Sequence, residues 1–282
     1  MPEVQAHAER LTEQFSGRVL DRFTPFNFTA LKTAAPPPDS AYGFPLIQVG
    51  RRGKYLLVRF EPVTFVIHLM QGGRLVPDPK LSAKPRGGQA RFTFAAGDVI
   101  DDVNALLLTE QGKERRAGVW CLSADEVLTS PPLGRLGPEA AGITPGELAV
   151  LFGRKSMRIH GFLHDQRMIA GIGRRLANEV CHRAKISPFA TTKKLSEAGA
   201  VVVAAAIDSC FAESLDYERA RPDMSSSKDR VSAVHRRTGE PCRVCEDSIR
   251  AVEYSGYTVN YCPTCQTSGK VLADNTTSKF LK

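Results

Sequence analysis

The chain has 282 residues, of which 42% are hydrophobic, and a formal net charge of +8. This length allows one large domain or two ordinary ones, and the hydrophobic fraction is enough for folded cores, so the composition excludes a disordered tail. The first residues lack the pattern of a signal peptide, and we find no apolar run near the roughly 20 residues that span a bilayer. We therefore expect an intracellular protein, and its excess positive charge favours a polyanionic partner.

The first half of the chain is predicted to be a helix followed by short strands. Apolar residues at helical spacing, Val4, Ala8, Leu11 and Phe15, predict an amphipathic helix, and a proline at position 2 suits its first turn. β-rich runs separated by turn signals follow, and they predict an antiparallel sandwich or barrel. These runs are FPLIQVG, KYLLVRF, VTFVIHLM, ARFTFAAG, VNALLLTE and AGVWCLS.

The second half is predicted to be helical. Proline and glycine concentrate between residues 129 and 147, where the strand pattern stops, so this stretch is the predicted domain boundary. Apolar periodicity then predicts four helices, the first with Thr144 as its N-cap. The helices are expected at 145–152, 160–166, 173–184 and 193–215, and the polar residues 220–232 are expected to form a mobile loop.

The strongest local pattern is a pair of C-x2-C motifs separated by sixteen residues. This spacing is typical of a four-thiolate zinc site, and a zinc ion with four protein ligands has no open position for water, so we expect it to be structural. A redox pair is the alternative, but that role needs only one C-x2-C motif. The expected ligands are Cys242, Cys245, Cys262 and Cys265, and the sequence between the motifs predicts a hairpin that turns at Ser255 and Gly256.

Four stretches, in this order, resemble the formamidopyrimidine-DNA glycosylase/endonuclease VIII family. They are MPE at the start, GRRGKYL at 50–56, DQRMIAGIG at 165–173 and TGEPCRVC…YCPTCQ at 238–266. The tail resembles an atypical bacterial subgroup of that family. The resemblance implies an α+β fold with an N-terminal antiparallel β-sandwich and leading helix (1–132), a helix-two-turn-helix DNA-binding domain (133–234) and a four-cysteine zinc finger with a tail (235–282).

The resemblance also implies a function. It indicates a monomeric, cytoplasmic, nucleoid-associated bacterial DNA repair enzyme that excises oxidised bases from double-stranded DNA, nicks abasic sites and carries one structural Zn²⁺. Pro2 would be the nucleophile, Glu3 the general acid/base, and Lys54 a contact to phosphate or an aid to elimination. From the residues alone, Glu3 also fits an ordinary acid favoured by the helix dipole, and Lys54 a solvated hairpin lysine.

A DNA-binding set follows from the same resemblance. The Gly-Ile-Gly at 171–173 precedes a helix, and its free backbone N–H groups suit a phosphate, although an ordinary turn between helices has the same pattern. Met70 also fits a core filler. The expected DNA-binding residues are His68, Met70, Gln71, Arg115, Arg116, Gln166, Gly173, Arg174, Arg175 and Tyr257.

The chain departs from the family pattern at several positions. The family usually has a second N-terminal Glu, an Asn after Gly-Ile-Gly, an Arg at the hairpin tip, an aromatic wedge and a Met wedge, where this chain has Ala6, Arg174, Tyr257, Ala117 and Gln71. Arg174 is still expected to bind phosphate, and Tyr257 to stack on a base or donate one hydrogen bond. These departures leave two alternatives open: a catalytically attenuated protein that binds damaged DNA, and an RNA- or ribosome-binding zinc ribbon on an unrelated basic fold.

Overall fold

A computed structural model of the chain describes residues 1–96, 103–112, 115–223, 229–254 and 256–273. These residues form two compact units. The sandwich unit comprises Glu3–Arg135 with residues 221–223, and the helical unit comprises Met1–Pro2, Leu136–Ala220 and the described residues from 229 onward. The predicted domain boundaries after residues 132 and 234 remain predictions.

The sandwich unit consists of a leading helix and two antiparallel sheets of four strands each. Helix α1 is Pro2–Phe15, and the strands are β1 (Leu20–Pro25), β2 (Gln48–Arg52), β3 (Tyr55–Arg59), β4 (Val63–His68), β5 (Gly73–Pro77), β6 (Gly88–Phe94), β7 (Ala105–Glu110) and β8 (Gly118–Ser123). The strand orders are β1-β6-β7-β5 and β2-β3-β4-β8. The expected antiparallel sandwich with a leading helix is therefore confirmed.

Aromatic side chains from the two sheets meet in the core of the sandwich unit. Phe65 from β4 contacts Phe23 from β1 and Phe92 from β6, with ring centroids 5.5 and 5.1 Å apart. All three side chains are buried. Burial of a Phe side chain stabilises a fold by roughly 1.5–3 kcal/mol, so this cluster is a large part of what holds the two sheets face to face.

The helical unit contains five helices and a β-hairpin among its described residues. They are α2 (Pro145–Arg154), α3 (Ile159–His164), α4 (Arg174–Arg183), α5 (Glu197–Arg219), β9 (Arg250–Tyr254), β10 (Tyr257–Tyr261) and α6 (Pro263–Thr267). The start of α2 is a capping box, in which the Thr144 hydroxyl accepts from the Glu147 N–H and the Glu147 carboxylate accepts from the Thr144 N–H. The second half is therefore helical, as expected, and the sequence between the C-x2-C motifs forms a hairpin.

Helix α5 corrects one expectation from the sequence. By length and composition, this 23-residue helix could cross a membrane, because an 18-residue stretch within it has a mean hydropathy of 1.6, so the expectation that no apolar run of that size exists was wrong. Such a helix is weak evidence of a membrane span, because core helices pass the same test. Its buried face, which includes Val203, Ile207 and Cys210, belongs to the core of the helical unit. Of the loop predicted at 220–232, residues 224–228 lie outside the described residues, as does the predicted turn residue Ser255.

Candidate functional site

The predicted nucleophile and its neighbour open helix α1. Pro2 is the first residue of the helix, where the lack of an N–H costs nothing, and Glu3 is the acidic residue of its first turn. Pro2 is buried and Glu3 is half-buried. Ala6, at the position of the family's second acidic residue, is only 1% exposed, so its methyl group belongs to the core.

Lys54 lies in a tight turn that Arg51 connects to α1. The turn joins β2 to β3, and Gly53 has φ 58° there, which favours glycine over other residues. The Arg51 guanidinium donates from Nε to Gln5 Oε1 (3.1 Å) and from Nη1 to the Gly53 carbonyl oxygen (2.9 Å). The chain therefore places the turn that carries Lys54 beside the first turns of α1.

His68, at the end of β4, is close to Lys54. Burial, with a smaller contribution from the positive charge of Lys54, lowers the pKa of His68 to about 4. The ring packs against Tyr55 with centroids 4.6 Å apart. The Met70 N–H donates to His68 Nδ1 at 3.3 Å, so His68 is a neutral imidazole whose remaining proton is on Nε2.

Two neighbouring loops of the sandwich unit carry the other predicted DNA contacts. Met70, with φ 52°, is 40% exposed, and Gln71 is exposed in the same loop. Arg115 and Arg116 are exposed in the loop before β8. Ala117 differs, because it is 1% exposed and its N–H donates to Glu110 Oε2 at 2.6 Å. Of the predicted DNA contacts and wedge positions in these loops, Gln71 and Arg115 are therefore exposed and Ala117 is not.

In the helical unit, the Gln166 side chain shapes the Gly-Ile-Gly loop. Its Nε2 donates to the carbonyl oxygens of His164 (3.0 Å) and Ile172 (2.9 Å), and its Oε1 accepts from the Gly171 N–H (3.0 Å). Both amide protons are therefore used within the loop. Gly173 is the N-cap of α4 and has no side chain to cover the first N–H groups of the helix.

The two arginines after Gly173 have different surroundings. Arg174 is exposed, and its guanidinium carbon lies 4.9 Å from the centroid of the Tyr257 ring. Arg175 is half-buried, donates from Nε to Ser232 Oγ at 3.1 Å and also donates to the Arg230 carbonyl oxygen. The structure thus brings Arg174 to the hairpin tip and directs Arg175 towards the segment around residue 230.

Helix α4 also holds the segment that leads into the zinc hairpin. The Glu179 carboxylate accepts hydrogen bonds from the N–H groups of three successive residues, Ala233, Val234 and His235, at 2.6–3.2 Å. Asn178 accepts from the Asn260 N–H in β10 at 3.3 Å. These bonds fix the hairpin against the same helix whose N-terminus follows the Gly-Ile-Gly loop.

The four predicted metal ligands converge. Their sulfur atoms all lie within 4.8 Å of one another, and three of the sulfur–sulfur distances are 3.4, 3.4 and 3.9 Å. A tetrahedral site with Zn–S bonds of about 2.3 Å has sulfurs about 3.8 Å apart, so Cys242, Cys245, Cys262 and Cys265 fit one zinc ion. Burial raises the pKa of Cys242, but the backbone N–H groups of Val244 and Cys245 and the nearby His182 more than offset this and lower it to about 6. Cys242 is thus readily available as a thiolate.

Four residues near this site were missed in the sequence. His182 Nε2 lies 3.4 Å from Cys242 Sγ and joins α4 to the metal cluster. His160 and His164 surround the Tyr257 ring, and Glu179 binds the chain as described above. The spacing of His160 and His164, four residues apart on a predicted helix, indicated that they share one face. Nothing in the sequence indicated the partners of Glu179 or His182.

Comparison with known proteins agrees with this geometry. The family model for the N-terminal domain of formamidopyrimidine-DNA glycosylase matches residues 1–108. An uncharacterised formamidopyrimidine-DNA glycosylase-like protein of Mycobacterium tuberculosis is 39% identical over 155 residues, which are 54% of this chain and 98% of that protein. The formamidopyrimidine-DNA glycosylase of Chloroflexus aurantiacus is 29% identical over 277 residues, covering 94% of this chain and 96% of the relative.

Solved structures show the same fold. The formamidopyrimidine-DNA glycosylase of Lactococcus lactis bound to DNA with an abasic site superposes with a TM-score of 0.82 at 20% identity, over 95% of this chain and 99% of that one. The same enzyme with DNA containing an oxidised pyrimidine gives a TM-score of 0.83 at 22% identity, over 94% and 98% of the two chains. With a relative of 39% identity that is covered almost completely, the chain belongs to the formamidopyrimidine-DNA glycosylase/endonuclease VIII family.

Proposed function

We propose that this protein is a DNA repair enzyme, a bifunctional DNA glycosylase and abasic-site lyase that acts on double-stranded DNA containing oxidised bases or abasic sites. The observation that carries the proposal is the start of α1: Pro2 and Glu3 open the helix, and Arg51 ties the next turn of that helix to the turn bearing Lys54. Relatives that match nearly the whole chain are named as formamidopyrimidine-DNA glycosylases, which supports glycosylase activity.

In the proposed mechanism, Pro2 is the N-terminal residue of the mature chain and its nitrogen is the nucleophile. An α-amino group has a pKa of about 8, against about 10.4 for lysine, and the positive end of a helix disfavours its protonated form. A neutral amine is therefore available near pH 7 to attack C1′ of the damaged nucleotide. The bond from C1′ to the base breaks, and the base leaves with the proton of the attacking amine. The C1′–O4′ bond then opens, and an iminium joins the enzyme to C1′ of the sugar.

Glu3 and Lys54 assist this chemistry. Glu3 protonates the opening sugar ring and then moves protons during elimination, which is a general acid/base role. Lys54 supplies a positive charge to phosphate or helps the elimination. Its neighbour His68 is held neutral by burial and adds no positive charge beside Lys54.

The remaining predicted residues would hold DNA and fill the gap when the nucleotide leaves the helix. In the sandwich unit these are His68, Met70, Gln71, Arg115 and Arg116, and in the helical unit Gln166, Gly173, Arg174, Arg175 and Tyr257. For Gln166 and Arg175 we propose an indirect part, because their polar atoms already bind the protein chain. The zinc ion would be structural, because four cysteine ligands would leave it no open position for water. We propose a monomer in the bacterial cytoplasm, associated with the nucleoid.

Borohydride trapping tests the proposal. Wild-type protein with an oligonucleotide containing a preformed abasic site is expected to give a covalent adduct after reduction. The adduct should be lost when Pro2 is replaced by Gly or when an extra residue in front of Pro2 turns its amine into an amide. An undiminished adduct in the blocked protein would instead identify an internal lysine as the nucleophile.

A second set of variants separates base excision from lyase chemistry. Glu3→Gln should reduce excision of 8-oxoguanine or an oxidised pyrimidine by about 10²- to 10⁴-fold, while adduct formation at a preformed abasic site survives, because that sugar already opens without acid catalysis. The matched control is Glu13→Gln, which removes an exposed acid from the same helix and should change neither reaction.

The runner-up is a catalytically attenuated protein that binds damaged DNA on the same scaffold. The observation that favours it is the loss of the second acidic residue, since Ala6 is buried and contributes no carboxylate. Tight binding of abasic-site DNA by the wild-type protein without any adduct would support this alternative. Membership of the family excludes the third interpretation, a zinc ribbon on an unrelated fold.

A further inference from the structure

The ring of Tyr257, at the tip of the zinc hairpin, is packed against three side chains of the helical unit. The His160 ring stacks on it at a centroid distance of 5.7 Å and an angle of 19°, and the His164 ring meets it at 5.0 Å and 88°. The Arg174 guanidinium lies over the ring at 4.9 Å. Tyr257 is therefore only partly exposed, and its ring is already engaged within the protein.

His160 is the buried and uncharged side chain that stacks on Tyr257 in this cluster. It is 2% exposed, and neither of its ring nitrogens makes a hydrogen bond of normal geometry with another described residue. Burial, with a smaller contribution from the neighbouring His164, lowers the pKa of His160 to about 3, so the ring is uncharged at neutral pH. Because the His160 ring is uncharged, it does not repel the Arg174 guanidinium, which lies over the Tyr257 ring.

Arg174 is the cation of this cluster that faces solvent. It is exposed at the first turn of α4, and no carboxylate among the described residues pairs with it. The neighbouring Arg175 uses its guanidinium on Ser232 and the Arg230 carbonyl oxygen. A cation held over an aromatic ring is stabilised there and loses much of its rotamer freedom, which lowers the cost of binding an anion in one place.

We propose that Tyr257 is a positioning residue, which holds the Arg174 guanidinium by cation–π contact so that Arg174 binds a DNA phosphate at the start of α4. Tyr257 itself does not stack on a base. This inference rests on the proposed function and deepens it. In this proposal Arg174 and Tyr257 act together. The family resemblance implies an arginine at the tip of the hairpin, whereas in this chain the arginine is on α4 and its guanidinium packs on the tyrosine at the tip.

The test is a double-mutant cycle on DNA binding at several salt concentrations, with duplex carrying an uncleavable tetrahydrofuran abasic site and fluorescence anisotropy as the readout. Arg174→Met should weaken binding about tenfold and reduce the slope of log K against log salt by about one, since one phosphate contact is lost. Tyr257→Leu should likewise weaken binding and reduce the slope of log K against log salt. It should have no further effect in the Arg174→Met background, because Tyr257 acts through Arg174.

Two more variants distinguish positioning from general damage to the fold. Tyr257→Phe keeps the ring and should retain wild-type affinity and slope. The exchange Arg174→Asn with Tyr257→Arg should recover the salt slope lost in Arg174→Asn alone. The matched control is Arg183→Met, which removes an exposed charge from the other end of α4, where it pairs with Glu213, and should leave the slope unchanged. Zinc content and circular dichroism verify that each variant is folded.

Loss of affinity in Tyr257→Leu that adds to that of Arg174→Met, with an unchanged salt slope, would overturn the inference and indicate that Tyr257 contacts a base directly. A wild-type slope in Arg174→Met would also overturn it. Neither result affects borohydride trapping at Pro2, so failure of this inference is distinguishable from failure of the proposed enzyme.

Discussion

At the scale of single residues, the Gln166 amide decides the conformation of the Gly-Ile-Gly loop. Gln166→Ala removes three hydrogen bonds and leaves the Gly171 N–H and the Ile172 carbonyl oxygen in a largely buried loop without that partner. We expect the free energy of unfolding of the helical unit to fall by about 1–3 kcal/mol, measured by urea denaturation with circular dichroism at 222 nm.

The adjacent Arg167 provides the control for this loop. Its side chain is exposed, so Arg167→Ala should change the free energy of unfolding by less than about 0.5 kcal/mol. Equal destabilisation by both substitutions would contradict a special role for the Gln166 amide. A loss of DNA affinity by Gln166→Ala with unchanged stability would instead indicate that Gln166 contacts DNA directly.

The sequence identified residue types better than their contacts. The four cysteines were predicted from spacing alone, because two C-x2-C motifs restrict the geometry of four sulfurs. The polar atoms of Gln166 and Arg175, which are predicted DNA contacts, bind the protein, and Ala117, at the position of the family's aromatic wedge, is buried, so the DNA contacts themselves stay predictions. Hydrogen-bond partners far apart in sequence, such as Arg175 and Ser232, depend on tertiary packing and leave no local pattern.

At the scale of helices and strands, local signals account for which elements were predicted. The capping box at Thr144 and the periodic apolar residues of α1 indicated helix positions because both signals are local. Strands β1 and β5 were missed. Their sequences, LDRFTP and GRLVP, are short and end in proline, and it is pairing with β6 and β7 that makes them strands.

The packing of α1 on β5 predicts a dependence of stability on pH. His7 Nε2 lies 2.6 Å from the Leu75 carbonyl oxygen, and burial, with smaller contributions from Arg10 and Arg74, lowers the pKa of His7 to about 4. In the unfolded chain this pKa is about 6.5, so between pH 6.5 and 4 the unfolded state binds a proton that the folded state does not. Stability from His7 is therefore lost as the pH falls, by about 1.4 kcal/mol per pH unit.

His7→Gln should remove this contribution. Urea denaturation at pH 7, 6 and 5, followed by the fluorescence of Trp120 in β8, should show a shallower loss of stability for His7→Gln than for the wild-type protein. Gln14→Ala, an exposed change on the same helix, should keep the wild-type slope. Identical slopes for the wild-type protein and His7→Gln would show that His7 is not buried as a neutral imidazole.

At the scale of the whole molecule, the two compact units carry separate spectroscopic signals. The single tryptophan of the chain, Trp120, belongs to the sandwich unit. Helices α2 to α6 and all four zinc ligands belong to the helical unit. Tryptophan fluorescence therefore reports on the sandwich unit, and helical circular dichroism reports mainly on the helical unit.

Removal of zinc is expected to destabilise the helical unit selectively. Glu179, Asn178 and the contact between His182 and Cys242 bind the hairpin to α4. Loss of the metal should therefore weaken the packing of the hairpin against α4. In thermal melts with a strong chelator, the transition seen by circular dichroism should fall to lower temperature, while the Trp120 transition stays near its original value. Metal analysis should give one zinc per chain for the wild-type protein and for Cys210→Ala, which changes a cysteine outside the cluster, and less for Cys262→Ser. A shift of both transitions to lower temperature would contradict the prediction that zinc stabilises only the helical unit. It would mean that the sandwich core formed by Phe23, Phe65 and Phe92 needs the metal to stay folded.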